Sequence, residues 1–160
     1  MIRLHLPPHS RLWFFLADRK LEEHEQEALS AQLRNFTCSW KSHGSSLSAG
    51  FDILMNHIVL IAVDEEQEAP SGCSIDKAFR LLQEFGNSQG IDFFNRLLVP
   101  LAVAEGVALI HRSELATKIT AGAVHPDDLY YDLTITRIAQ LEQDFQKPLR
   151  QGWALKGLSL

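Results

Sequence analysis

The sequence predicts one α+β domain built as a two-layer sandwich, on three observations. Residues 11–17 form a short aromatic run with polar flanks, residues 58–63 form an unbroken run rich in β-branched side chains, and two stretches carry an apolar stripe at helical spacing. The implied order of strand, helix, strand, strand, helix, strand is that of a ferredoxin-like βαββαβ core, with extra strand and helices at the C-terminus; a ribonuclease-H-like α/β layer is the alternative. The strands at 11–17 and 58–63 are then expected to be parallel neighbours at the centre of the sheet. A chain of 160 residues, 46% hydrophobic, is the size of a single domain, so residues 1–160 are expected to form one unit that packing alone can hold.

Each element has its own signal. RLWFFLA at 11–17 reads as the first strand. From 21 to 40 the period changes, and Leu29, Leu33, Phe36 and Trp40 fall on one face of a helix whose early glutamates suit the positive end of its dipole. Gly44 among serines is a loop. Phe51, Ile53 and Met55 alternate as in a half-buried strand, Asn56-His57 supplies a tight turn, and the 58–63 run reads as a central strand covered on both faces. Pro70 ends the acidic loop after it, and Ser71 caps a second helix with Ile75, Phe79, Leu82 and Phe85 on its apolar stripe, closed by Gly86 to Gly90. Residues 96–104 and 107–111 flank Ala-Glu-Gly as a hairpin, with Pro100 favouring an edge position or a bulge. A third helix is expected from Ser113 to near Gly122. A fourth, capped by Thr134 or Thr136, would carry Ile138, Leu141 and Phe145 and stop at Pro148.

Composition removes several function classes. The longest apolar run is six residues, too short to span a membrane, and the first eight residues alternate Ile2, Leu4 and Leu6 with polar groups instead of forming a signal peptide. Two cysteines, Cys38 and Cys73, suggest no disulfide framework. A cytoplasmic protein with free thiols is therefore expected. The formal charge of −5, with scattered basic residues, argues against a nucleic-acid partner. The seven histidines form no H-E-x-x-H motif of a zinc-protease helix, and neither a P-loop, a dinucleotide-binding glycine motif nor a nucleophile elbow is present, so no cofactor is expected.

Chemistry concentrates where the second helix begins. In residues 71–77, Ser71, Gly72, Ser74 and Lys77 are candidate anion ligands, joined by Arg19 from the end of the first strand. Cys73, at a helix N-terminus, is a candidate nucleophile with His43 as base and Asp76 beside it. Asp18, Asp64 and Asp76 are a candidate carboxylate set for a magnesium ion. The plainer interpretation of the same turn is that Ser71 caps, Cys73 packs and Asp76 complements the helix dipole. Phe93 and Phe94 are adjacent and cannot face one way in a strand, which leaves one of them available for a protein partner or a homodimer contact.

Over most of its length the chain resembles a small family of uncharacterised bacterial proteins. The likeness rests on Ser10-Arg11-Leu12-Trp13, Ala17-Asp18-Arg19, Phe51-Asp52-Ile53, Val63-Asp64-Glu65, Gly90-Ile91-Asp92-Phe93-Phe94 and, most specifically, Ser71-Gly72-Cys73-Ser74-Ile75-Asp76-Lys77. Members of that family are often labelled ABC transporter ATPases. That label implies Walker and signature motifs, and this sequence contains neither. The resemblance implies a stand-alone bacterial domain and carries over no catalytic residue. Two functions follow: a non-catalytic binding or interaction module, or a small enzyme or anion-binding domain centred on residues 71–77.

Overall fold

The computed structural model describes residues 4–66 and 68–159, so Ile2 of the alternating N-terminal stretch lies outside the described residues, while Leu4 and Leu6 pack against a core. The elements are β1 (Arg11–Leu16), α1 (Glu23–Ser39), a two-residue hairpin of β2 (Lys41–Ser42) and β3 (Ser45–Ser46), β4 (Ser48–Leu54), β5 (Ile58–Asp64), α2 (Gly72–Gln89), β6 (Leu98–Val103), β7 (Gly106–His111), α3 (Leu115–Thr120), β8 (Leu129–Tyr131) and β9 (Gln146–Pro148). The protein is a mixed α+β sandwich of antiparallel sheets and helices, and no described helix is long and apolar enough to cross a membrane.

Every residue of β5 is buried, and its place in the sheet explains why. It is the middle strand of a three-stranded sheet ordered β1-β5-β4. Its side chains alternate between two cores. Val59, Ile61 and Val63 meet Leu29 and Leu33 of α1 and Leu82 and Phe85 of α2. Ile58, Leu60 and Ala62 meet Leu12 and Leu16 of β1 and, from a second sheet, Leu98, Val107, Leu109 and Tyr131. That second sheet, ordered β7-β6-β8-β9, covers the face that two layers alone would leave in water. Its outer face carries Val99, Leu101 and Tyr130 against Leu115, Leu149 and Ala154.

The strands at 11–17 and 58–63 are neighbours as expected but run antiparallel rather than parallel, the direction that a crossover followed by a hairpin imposes. β1 pairs with β5 antiparallel, from Arg11↔Val63 to Leu16↔Ile58. The reversal follows from the turn between β4 and β5, where Met55 and Asn56 both take positive φ (47° and 58°), one residue earlier than Asn56-His57. The crossover through α1 makes β4 parallel to β1, with β5 inserted antiparallel between them. The strand at 96–104 does not join this sheet. It becomes β6, which pairs fully with β7 but meets β8 only at Leu101↔Tyr130, so Pro100 sits in an interior strand on its sparsely bonded side.

The fourth helix expected at 134–145 is also replaced. Residues 138–140 make a single 3₁₀ turn, and 146–148 pair with β8 as β9. Local polar bonds divert the backbone: Asp132 accepts from the amide (2.9 Å) and hydroxyl (2.6 Å) of Thr134, and Gln140 Oε1 accepts from the amides of Thr136 and Arg137 (3.0 Å each). Phe145 then stacks on Phe14 at 5.4 Å, so the spacing that resembled a helix serves an irregular segment wrapped over the second core.

α1 starts on a buried acid. Glu25 accepts two bonds from Arg19 (2.9 and 2.7 Å) and one from the Glu22 amide (2.8 Å). The Arg19 guanidinium, then the Glu22 amide, outweigh burial and hold the Glu25 carboxyl down at about 2. A group depressed on folding contributes stability that is full above its ordinary pKa of about 4.5 and is lost as pH falls toward 2. Urea unfolding of Glu25→Gln is expected to show lower stability at pH 7 than the parent, with the difference shrinking steadily between pH 5 and pH 2.

Candidate functional site

Residues 71–77 are tied into the fold chiefly through capping. Ser71 Oγ accepts from the Ser74 amide (3.2 Å), and Ser74 Oγ donates to the Ser71 carbonyl (2.8 Å). Ser42 Oγ accepts from the Ser71 amide (3.1 Å), and Trp40 Nε1 donates to the Ser74 carbonyl (2.8 Å). The motif thus pins the end of α1 and the β2–β3 hairpin to the start of α2. That hairpin carries His43 at its tip, exposed and in a left-handed conformation, so the loop arrives near α2 as expected. Gly72, Cys73, Asp76 and Lys77 are all exposed, and among the described residues no hydrogen bond joins Cys73 to His43.

Antiparallel pairing separates the remaining candidates. Because Leu16 lies opposite Ile58, the end of β1 is far along the sheet from the end of β5. Arg19 accordingly donates to the Gln89 carbonyl (2.9 Å) at the C-terminal end of α2, away from residues 71–77. Asp18 exchanges bonds with Asp92 (3.0 Å each way), while Asp64 sits at the opposite end and Asp76 on the exposed face of α2. Asp18, Asp64 and Asp76 do not converge into one ligand set.

Asp64 instead belongs with His9 and Glu66, whose ligand atoms lie within 4.8 Å of one another. His9 Nε2 is 2.8 Å from Asp64 Oδ1 and His9 Nδ1 is 3.5 Å from Glu66 Oε1. The Glu66 amide, followed by His9, holds the Asp64 carboxyl below the usual carboxylate range. Beside them Glu65 meets Arg11 and Arg137 at 3.4 Å each, and Arg137 also donates to the His9 carbonyl (2.7 Å). A His and two carboxylates suit a divalent cation chemically, but these groups already clasp the N-terminal segment and residues 136–140 to the end of β5.

A concave, mainly apolar feature runs along the outer edge of β1. It is a cleft of about 400 Å³ floored by residues 12–16, with Phe79, Phe93 and Phe94 on the helical side and Leu98, Pro100, Tyr131, Leu133 and Trp153 on the side of the second sheet. Phe15, Phe79 and Phe94 form a ring cluster with centroids 5.0 to 6.0 Å apart. Phe93 is buried and Phe94 is 37% exposed at the rim, so the adjacent pair does face two ways. Arg96 is the single charged side chain in the lining, and it has no ion pair or hydrogen bond among the described residues.

No family model, curated protein or solved structure matches the chain.

Sequence patterns found the parts of this cleft without joining them. RLWFFLA was legible as a strand and Phe93-Phe94 as a surface pair, but their meeting depends on where β6 leaves the first sheet. Arg96 carried no local signal. Both thiols, by contrast, are placed at the surface. Ellman's reagent is expected to titrate two thiols per native chain without denaturant and one in Cys73→Ser; a thiol that reacts only in urea contradicts that placement.

Proposed function

We propose that this chain is a non-catalytic binding module, acting with a protein partner in the reducing interior of a bacterial cell, and that its ligand lies in the cleft beside β1. The observation that carries this reading is the lining itself: an apolar, aromatic groove with one unpartnered cation, Arg96, at its edge. Catalysis by thiol or acid and base requires a nucleophile within reach of a base, and among the described residues the cleft lining holds neither cysteine, histidine nor carboxylate. Residues 71–77 then act in capping, which accounts for Ser71 and Ser74 fully. The exposed thiols of Cys38 and Cys73 favour a reducing compartment.

An environment-sensitive apolar anion, anilinonaphthalene sulfonate, tests the site. The expected result is saturable binding at one site per chain, with quenching or energy transfer from Trp13 and Trp153, both of which line the cleft. Phe94→Glu is expected to weaken binding by about tenfold, the cost of losing one well-packed ring face, while leaving the urea midpoint near the parent value because Phe94 is already 37% exposed. Dye binding that is absent, or indifferent to Phe94→Glu, excludes the cleft as the binding site.

A further inference from the structure

We propose that the cleft takes an extended segment of a partner protein, several consecutive apolar residues flanked by an acidic one, as a strand added to β1. This rests on the binding-module reading above and names its ligand.

The argument begins with where the backbone groups of β1 point. The Ala17 amide donates to the His57 carbonyl on the β5 side (2.8 Å), whereas the Leu12 amide donates outward to the Thr136 carbonyl (2.8 Å). Backbone direction alternates along a strand, so Leu12, Phe14 and Leu16 present both N–H and C=O to the outer edge. The chain begins to pair with that edge itself. Arg11 and Arg137 form an antiparallel bridge, and the Ile138 amide donates to the Ser10 carbonyl (3.0 Å). Pairing then stops, because the Thr136 amide, which would return a bond to Leu12, donates to Gln140 Oε1 instead (3.0 Å). Among the described residues nothing hydrogen-bonds the Leu12 carbonyl or the backbone amides and carbonyls of Phe14 and Leu16. These groups continue an edge whose first pairing is already made, and they lie on the floor of the cleft.

Such an edge selects its occupant. A purely aliphatic ligand would cover these groups without pairing them, leaving the desolvation of each one uncompensated. An extended backbone pairs them, which is the physics of strand addition. Side chains of the added strand alternate between two walls, Phe79 and Phe94 on one side and Pro100 and Tyr131 on the other, so consecutive residues must all be apolar. From Leu12 to Leu16, at about 3.3 Å per residue, there is room for roughly four. Phe94 packs on Phe15, and Arg96 follows two residues later as the only charge in the lining, so the complement is an acidic residue beside the apolar run.

The experiment uses the full chain and a panel of acetylated, amidated pentapeptides, each with four residues drawn from Val, Ile, Leu and Phe and one terminal Asp. Decanoate serves as an aliphatic carboxylate without a backbone. Binding is followed by tryptophan fluorescence, and amide hydrogen exchange by NMR at Phe14 and Leu16. Panel members are expected to bind and to slow exchange at both amides at least tenfold. N-methylation of alternate peptide amides is expected to abolish binding in one of its two registers, and Arg96→Ala to weaken it by about three- to fivefold, the size of an exposed ion pair. If decanoate or the naphthalene dye binds and no peptide does, strand addition is overturned and the module reading stands; if none of them binds, both fall. Concentration-dependent dimerisation that protects Phe14 and Leu16 assigns the edge to a second copy and also overturns the proposal.

Discussion

The fold depends on the burial of β5 from both sides at once. A strand with seven consecutive buried residues must have hydrogen-bonded neighbours on both edges and apolar cover on both faces, because any unpaired backbone group there would be left without water. β1 and β4 supply the edges, α1 and α2 one face, and the second sheet the other. Each large side chain fully buried there contributes about 1.5–3 kcal/mol, so this strand alone outweighs any surface ion pair in the molecule. The third core, under α3 and the C-terminal 3₁₀ turns, forms because the second sheet in turn has an outer face to cover.

Around that core, the polar residues act mainly as fasteners. Ser71 and Ser74 join α2 to the end of α1, Arg19 and Glu25 join the end of β1 to both helices, and the His9, Asp64, Glu65 and Arg137 group holds two peripheral segments against the end of β5. In the hairpin of β8 and β9, Lys147 meets the buried Asp132 at 2.7 Å, where burial opposes the carboxylate and Lys147 with Thr134 more than offsets it. Each cluster has partners enough to account for its presence in a folded chain. The cleft is different, since its backbone groups and its one cation have none among the described residues.

The open side of β1 follows from the same packing. The segment after β8 reaches it at Thr136 and Arg137 and then turns away, because Gln140 captures the Thr136 amide and Phe145 is drawn onto Phe14. Recessing the edge between two apolar walls keeps it from pairing with any passing strand while leaving it accessible to a segment narrow enough to enter. An exposed flat edge of the same composition would favour aggregation.

Local chemistry determined a good deal of this protein. The α+β class, the two long helices, the central β5, the β6–β7 hairpin and the Ser71 cap were legible because each rests on contacts within a few residues or on a periodicity that only one secondary structure satisfies. The sharing of strands between two sheets was decided by the tertiary structure, since a strand of either sheet presents the same alternating pattern to a reader of the chain. The antiparallel β1–β5 pairing, which a crossover followed by a hairpin already implies, separated Asp18 and Arg19 from Asp64 and residues 71–77. Tertiary packing turned the apparent helix after Thr134 into a wrapped segment through bonds to Asp132 and Gln140. It also created the cleft, whose walls come from residues as far apart as Leu12 and Trp153. A site made of an unfilled strand position has no motif, because what defines it is the partner that the rest of the fold does not supply.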